Sequence, residues 1–248
     1  MKSNQSLIYG IHPVIEALES GKTIDKVWIQ EGFQTGQLAE IIQLLKTNRI
    51  IWRQVPSSKL NSLVRGNHQG IVISLSAVDF ARIEDVIDSA YSKGKDPFIL
   101  VLDGITDVRN FGAITRTALS AGVDGIIIPE TGAAPVGPDS VKTSAGALLK
   151  IPICRTNSMH HSLKHLKNSG LKIIGSTEKA SQGLYETDFS GPLAVVMGNE
   201  EKGISTDAFK MCDYTVKIPM AEGSIDSLNV GVATGVVIYE AFRQRLNM

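Results

Sequence analysis

The sequence predicts an α/β protein in two parts: a small α/β module, then a larger domain built on a parallel sheet covered by helices on both faces. Two observations carry this prediction. Short, near-continuous apolar runs of strand length alternate with helix-periodic segments through most of the 248 residues, the pattern of strands buried on both sides. The alternation is interrupted once, by the polar stretch SAVDFARIEDVIDSAYSKGKDP over 76–97. At about 100–200 residues per domain the length allows one or two domains, and the break makes it two: residues 1–77, a linker over 78–96, and residues 97–248.

In the first part, KVWIQ (26–30), IIWRQV (50–55) and GIVISL (70–75) read as strands, with a helix over about 35–47 and a second helix capped by Ser57. The linker holds one short helical pattern and ends in Lys93-Gly-Lys-Asp-Pro97, a chain breaker. Beyond it, FILVLD (98–103), GIIIP (125–129), LKIPI (149–153), KIIGST (172–177), LAVVMG (193–198) and YTVKIP (214–219) are stronger strands. Helical patterns lie near 111–121, 139–148, 159–169 and 229–245. On the last of these, Gly231 and Gly235 leave a smooth strip at i, i+4, suited to close packing within the core or against a second subunit.

Composition excludes several classes. With 43% hydrophobic and 20% charged residues the chain is neither disordered nor fibrous. Lys plus Arg and Asp plus Glu number 25 each, so no global field draws it to nucleic acid or membrane and any RNA site is a local patch. Residues 1–80 hold 8 basic against 6 acidic side chains and are the slightly basic part. No run approaches the ~18 apolar residues of a membrane span, and the start lacks a secretory stretch, so a cytoplasmic address is expected. Cys154 and Cys212 have no CxxC partner and read as small buried hydrophobes. His161 and His165 have metal-ligand spacing, but no carboxylate or cysteine completes a site, and an exposed helix surface is the better reading; no metal is expected.

Chemistry concentrates at three strand ends, where open α/β sheets bind ligands. DGITDVRNFGAITR (103–116) leaves one strand and enters a helix carrying Asn110 and Arg116. Taken singly, Asn110 is readable as a helix cap and Arg116 as a solvated helix residue. MGNEEKGIS (197–205) is a strand followed by a polar turn, and IPMAEGSIDSLNV (218–230) leads into the last helix. The second segment is not a phosphate-binding P-loop, because Ile204 stands where the lysine is required and Glu200 and Glu201 would repel a triphosphate. No strand is followed by G-x-G-x-x-G, which argues against NAD.

Together the three segments resemble the motifs of the SpoU/TrmH ribose 2′-O-methyltransferases of the SPOUT superfamily: N-x-G-A-x-x-R-T, [VM]-x-G-N-E-x-K-G and I-P-M…S-L-N-V-x-V-A, in order and each at a strand end. IYGIHPVIEAL (8–18) and HQGI (68–71) resemble the small L30e-like substrate-binding domain found in the 23S rRNA guanosine methyltransferases of that family. The resemblance implies a C-terminal α/β-knot domain with a deep trefoil knot, an S-adenosyl-L-methionine pocket, a homodimer, and 23S rRNA or a ribosome-assembly intermediate as substrate. A tRNA ribose methyltransferase and a non-catalytic RNA-binding assembly protein are the alternatives.

By the same resemblance Met197, Gly198, Ile218, Met220, Leu228 and Asn229 line the cofactor site, and Asn110, Arg116, Glu200, Ser227 and Asn229 form the catalytic centre. Arg116 either holds the target phosphate and lowers the pKa of the neighbouring hydroxyl or accepts its proton. A guanidinium with a pKa above ~12 favours the first role. Glu200 reads as an organiser of its loop and of Asn110. RNA contacts are expected from Arg109, Arg116, His12, Arg53, Arg65 and His68, with Lys26, Arg49 and Lys59 as further cations. One extra residue between Met220 and Ser227 departs from the family pattern and bears on the loop contacts to the cofactor.

Overall fold

The computed structural model describes residues 7–32, 36–48, 50–222 and 227–246. The chain divides into two compact units, one running to Asp79 and including Pro135–Asp139, the other comprising Phe80–Ala134 and the chain from Ser140 onward. Each is described by itself.

The first unit contains β1 (Leu7–Tyr9), α1 (Ile11–Glu19), β2 (Ile24–Gln30), α2 (Gly36–Thr47), β3 (Arg53–Val55), α3 (Ser57–Leu63) and β4 (Ile71–Leu75). Its sheet has the order β1-β4-β2-β3, antiparallel except for β2 with β3. Val14, Ala17 and Leu18 of α1 and Leu38, Ile41 and Leu45 of α2 recur at i, i+3, i+4 and i+7 spacings and bury against Val27, Ile29, Ile71 and Ile73. Ser57 is the first helical residue of α3 rather than its cap: Pro56 occupies the N-cap position and no side chain bonds there. Pro135–Asp139, far away in sequence, joins this unit; Val136 O accepts from Ala77 N at 2.9 Å.

The second unit begins before its first strand. Residues 83–92, within the stretch read as linker, form α4 (Ile83–Ser92), whose Val86 and Ile87 are buried in a core cluster with Ile99, Val101 and Ile127. There follow β5 (Phe98–Asp103), α5 (Val108–Ser120), β6 (Gly125–Pro129), α6 (Pro138–Thr143), β7 (Ile153–Thr156), α7 (Met159–Asn168), β8 (Lys172–Ser176), β9 (Gln182–Gly183), β10 (Leu193–Gly198), α8 (Thr206–Phe209), β11 (Tyr214–Lys217) and α9 (Val230–Arg245). The sheet has the order β7-β6-β5-β10-β8-β11-β9, and every pairing is parallel. All six residues of β10 are buried, as the continuous apolar run requires of a central strand.

One helix reading and one strand reading shift. The pattern over 139–148 gives α6 and then a 3₁₀ turn at Ala147–Leu149, because Ser144 Oγ donates to Val141 O (3.0 Å) and accepts from Leu148 N (3.2 Å), and Ala145 adopts φ +50°. The strand expected over 149–153 starts at Ile153 instead, just past Pro152, whose carbonyl accepts from Ile126 N.

Candidate active site

The strand order reverses around β5 and β10: β6 and β7 lie beyond β5, β8 and β11 beyond β10. Ligands bind at the carboxyl ends of strands at such a switch point. Register brings the relevant residues level, Gly198 opposite Asp103 and Met197 opposite Ser176. The polar turn after β10 is fastened on every side. Asn199 and Gly203 exchange backbone bonds, Asn199 Oδ1 accepts from Glu201 N (2.9 Å) and Lys202 N (3.2 Å), and Asn199 Nδ2 donates to Gly104 O (2.8 Å). Asp103 Oδ2 accepts from Ser205 N at 2.7 Å, tying the far side of the turn to β5. Gly198 is required here, since a Cβ would stand 2.2 Å from both Gly203 C and Ile204 N.

This turn presents Glu200 to two helix starts. α5 opens on Asp107, whose carboxylate accepts from Arg109 N (2.8 Å) and Asn110 N (2.9 Å). The cap is therefore Asp107, not Asn110, which leaves the Asn110 side chain for other work. Asn110 Nδ2 donates to Glu200 Oε1 at 2.6 Å. Asn229 caps α9, its Oδ1 accepting from Gly231 N (2.9 Å) and Val232 N (3.4 Å), while its Nδ2 donates to Asn110 Oδ1 and Glu200 Oε1, both at 3.1 Å. One residue from each of the three motif segments thus meets in a single hydrogen-bonded triangle. The glycine strip of α9 faces α5: Cβ positions built at Gly231 and Gly235 would lie 3.9 Å from Ala113 Cβ and 3.7 Å from Thr117 Cγ2.

Beside the triangle lies a cavity of about 290 Å³. Met197, Gly198, Ile218, Met220, Leu228 and Asn229 all line it, as do Glu200 and Ser227. Ser176, Thr177 and Glu178 also line it, although nothing in the sequence singles them out. Their strand, β8, is separated from β10 by the whole of β9 in the chain, and only the sheet order places its end beside Gly198. Asn110, Arg109 and Arg116 are not among the lining residues; both arginines are exposed on α5, seven residues and so about two helical turns apart. The departure between Met220 and Ser227 falls largely on residues 223–226, outside the described residues, as does Arg49.

No thiolate serves the site. Burial, aided by Glu84 and Asp85, pushes the Cys154 thiol up to about 12. Burial, then Asp213, pushes Cys212 up to about 11, so both stay protonated at neutral pH. In the first unit His12, Arg53, Lys59 and Arg65 are exposed and Lys26 is half-buried. His68 is 9% exposed, its Nδ1 accepts from Gly70 N (3.0 Å) and its Nε2 lies 3.1 Å from Asn61 Oδ1, so both nitrogens are engaged in holding the turn. His161 is exposed and His165 half-buried on α7.

Residues 97–239 match the SpoU rRNA methylase family. The chain belongs to that family. Residues 7–81 match the RNA 2′-O ribose methyltransferase substrate-binding domain, so a SpoU methylase unit follows an accessory one. The chain is 37% identical over 242 residues to the 23S rRNA (guanosine-2′-O-)-methyltransferase RlmB of Pseudomonas putida, with 96% of each chain covered. It is 36% identical over 245 residues to the TrmH family protein YacO of Bacillus subtilis, covering 99% of this chain and 98% of that one. Among solved structures the SpoU methyltransferase AviRb of Streptomyces viridochromogenes, crystallised with AdoMet, superposes with a TM-score of 0.62 at 26% identity, covering 98% of this chain and 91% of that one. No helix among the described residues is long and apolar enough to cross a membrane.

Proposed function

We propose that this SpoU family protein is an S-adenosyl-L-methionine-dependent RNA methyltransferase that methylates the 2′-oxygen of a guanosine ribose in 23S rRNA. The observation that carries the reading is the Asn110–Glu200–Asn229 triangle, set at the edge of a cavity whose lining suits the cofactor. Met197, Ile218 and Leu228 offer apolar contact. Gly198 lets a ligand approach bare backbone. Glu178 places a carboxylate at the rim, where it can accept from hydroxyls such as those of a ribose. A volume of about 290 Å³ sits at the small end of the ~300–1,000 Å³ usual for ligand pockets.

When bound, the cofactor supplies an electrophilic methyl on its sulfonium sulfur. The protein's contribution is positioning, which can supply ~7–11 kcal/mol of a barrier when the reacting atoms are aligned. Asn110 and Asn229, locked by Glu200, fix the polar edge against which the target ribose is oriented. Arg116 lies six residues beyond Asn110 on α5, about 9 Å along the axis. It holds the phosphate beside the target ribose, and its permanent charge lowers the pKa of the 2′-hydroxyl. Ser227 adds a hydroxyl at the same rim.

The wider expectations belong to the same reading. The protein acts in the cytoplasm, on naked rRNA or an assembly intermediate, with its C-terminal segment threaded as a trefoil knot. It works as a homodimer through the outer side of α9, where Val232 is 55% and Tyr239 46% exposed, seven residues apart on one face.

The test is transfer of labelled methyl from S-adenosyl-L-methionine to total rRNA and, separately, to total tRNA from cells lacking the gene. Label confined to one 23S ribose supports the reading. Label confined to tRNA replaces it with a tRNA methyltransferase, and absence of cofactor binding replaces it with a non-catalytic RNA-binding protein.

A further inference from the structure

We propose that the first unit carries a nucleobase-stacking platform on Tyr9, which receives one unpaired base of the RNA substrate. The inference rests on the RNA methyltransferase reading and adds to it a contact in the accessory unit that charge alone does not supply.

Tyr9 ends β1, the edge strand of its sheet, and is 38% exposed. Its phenol end is seated on bare backbone: a Cβ at Gly66 would lie 2.6 Å from Tyr9 Cε2, 2.6 Å from its Oη and 2.9 Å from its Cζ. Any side chain at position 66 would displace the ring. The phenol end is therefore held against Gly66 while more than a third of the residue faces solvent, which favours stacking a base without first ordering the aromatic.

The surroundings are held with similar care. Gln69 adopts φ +47°, a left-handed conformation costly for a residue with a side chain. Its Oε1 accepts from Ile11 N at 2.9 Å and so caps α1, whose N-cap residue Gly10 has no side chain to do it. Gly10 N donates to Ile71 O, and His68 fixes the turn from within through Gly70 N and Asn61. The strand end that carries Tyr9 and the turn that carries Gly66 are thus stapled together.

The charge pattern names the partner. Between Glu40 and Asp79 there is no Asp or Glu, whereas Lys46, Arg49, Arg53, Lys59 and Arg65 fall in that interval. None of residues 1–15 is acidic either. Arg65 and Asn67 flank Gly66 and are exposed, and exposed His12 lies three residues after Tyr9. A flat aromatic among cations and amides, with no carboxylate in either contributing segment, suits an RNA strand whose phosphates meet the cations and whose base lies on the ring.

The experiment uses full-length protein and 23S rRNA transcribed in vitro, with binding measured at several salt concentrations in the absence of cofactor. Tyr9→Leu keeps bulk without a π-face and Tyr9→Phe keeps the face without the hydroxyl. We expect Tyr9→Leu to weaken binding by about 5- to 150-fold, the loss of one stacked base, and Tyr9→Phe to stay within about twofold. The salt slope should be unchanged, because every phosphate-binding cation is still present, and S-adenosyl-L-methionine affinity should match the wild type. Equal binding by Tyr9→Leu and wild type overturns the platform, as does an equal loss in Tyr9→Leu and Tyr9→Phe. Ultraviolet crosslinking of the wild-type complex is independent of any variant's folding: an adduct on Tyr9 supports the platform, and adducts confined to the second unit overturn it. Weakened binding to ribosomal particles with unchanged binding to rRNA would overturn it in favour of a protein contact. If wild-type protein methylates rRNA while the variants bind normally, only the platform falls. If wild type neither binds nor methylates rRNA, free or in ribosomal particles, the parent reading falls.

Discussion

The side-chain amide of Asn229 joins two helix starts and a strand end: its Nδ2 lies 3.1 Å from Asn110 Oδ1 and 3.1 Å from Glu200 Oε1, while its Oδ1 caps α9. Every polar atom of that side chain is engaged, and the three elements it joins are 119 and 29 residues away from it or are its own helix. Asn229→Ala removes the cap and both cross-links at once. We expect a loss of about 1 kcal/mol from the cap, read by thermal unfolding. We also expect a loss of methyl transfer of at least 100-fold with the fold intact, since misplacement of reacting groups by about 1 Å can cost that much. Asn229→Asp separates the two effects: it keeps the cap acceptor but sets a second carboxylate against Glu200, so stability should be largely retained and transfer lost.

Gly198 tests whether the cavity depends on the turn beneath it. A methyl at this position meets backbone of Gly203 and Ile204 at 2.2 Å, and backbone cannot rotate aside as a side chain does. Gly198→Ala should cost about 3 kcal/mol or more, the upper end of overpacking effects. It should also abolish S-adenosyl-L-methionine binding measured by calorimetry. Cofactor affinity equal to wild type would show that the turn can relax without reshaping the cavity.

The end of α9 gives a pH prediction. Glu240 is buried and accepts from Arg243 Nε (2.9 Å), Arg243 Nη2 (2.7 Å) and Gln244 Nε2 (2.7 Å). The hydrogen bond from Arg243 holds its carboxyl below the usual range. A carboxyl with a depressed folded pKa stabilises the protein above its unfolded value of ~4.3 and loses that contribution as pH falls through the folded one. Glu240→Gln should therefore be less stable than wild type at neutral pH, and the difference should shrink as pH drops below about 4. Chemical denaturation at a series of pH values measures it. A difference that grows on acidification would contradict the assignment.

Much of this architecture is legible in the sequence, because buried strands such as LAVVMG have to be apolar on both faces and their turns have to be polar. Asn110, Glu200 and Asn229 could be picked out because the segments that hold them resemble the family motifs. The remainder depends on contacts between distant parts of the chain. Glu178 joins the cavity only because β8 lies beside β10. The sequence does not say what His68 bonds; Asn61 and Gly70 occupy its two nitrogens. The segment over 78–96 looks polar as a whole, yet Val86 and Ile87 sit one turn apart from Ala90 and bury one face of α4. The break in the helix pattern over 139–148 comes from a buried serine competing for backbone bonds, which periodicity does not register.

The cations of the first unit give a salt prediction. Arg53 and Arg65 are exposed, and removing one cation that pairs with a phosphate should lower the slope of log affinity against log salt by about 0.7–0.9. Arg53→Ala and Arg65→Ala should each weaken rRNA binding and flatten that slope, with additive effects in the double variant. Filter binding across salt concentrations measures it. An unchanged slope in both would remove these residues from the RNA surface.

Ribose methylation directed by Arg116 is tested by treating rRNA from cells lacking the gene with wild-type protein and with Arg116→Ala in the presence of S-adenosyl-L-methionine, then digesting the RNA to nucleosides and identifying the methylated species by mass spectrometry. The expected product is 2′-O-methylguanosine with wild type, and it should be lost with Arg116→Ala while cofactor affinity is retained. A methyl group on a base, or an Arg116→Ala protein that transfers as fast as wild type, would contradict this mechanism.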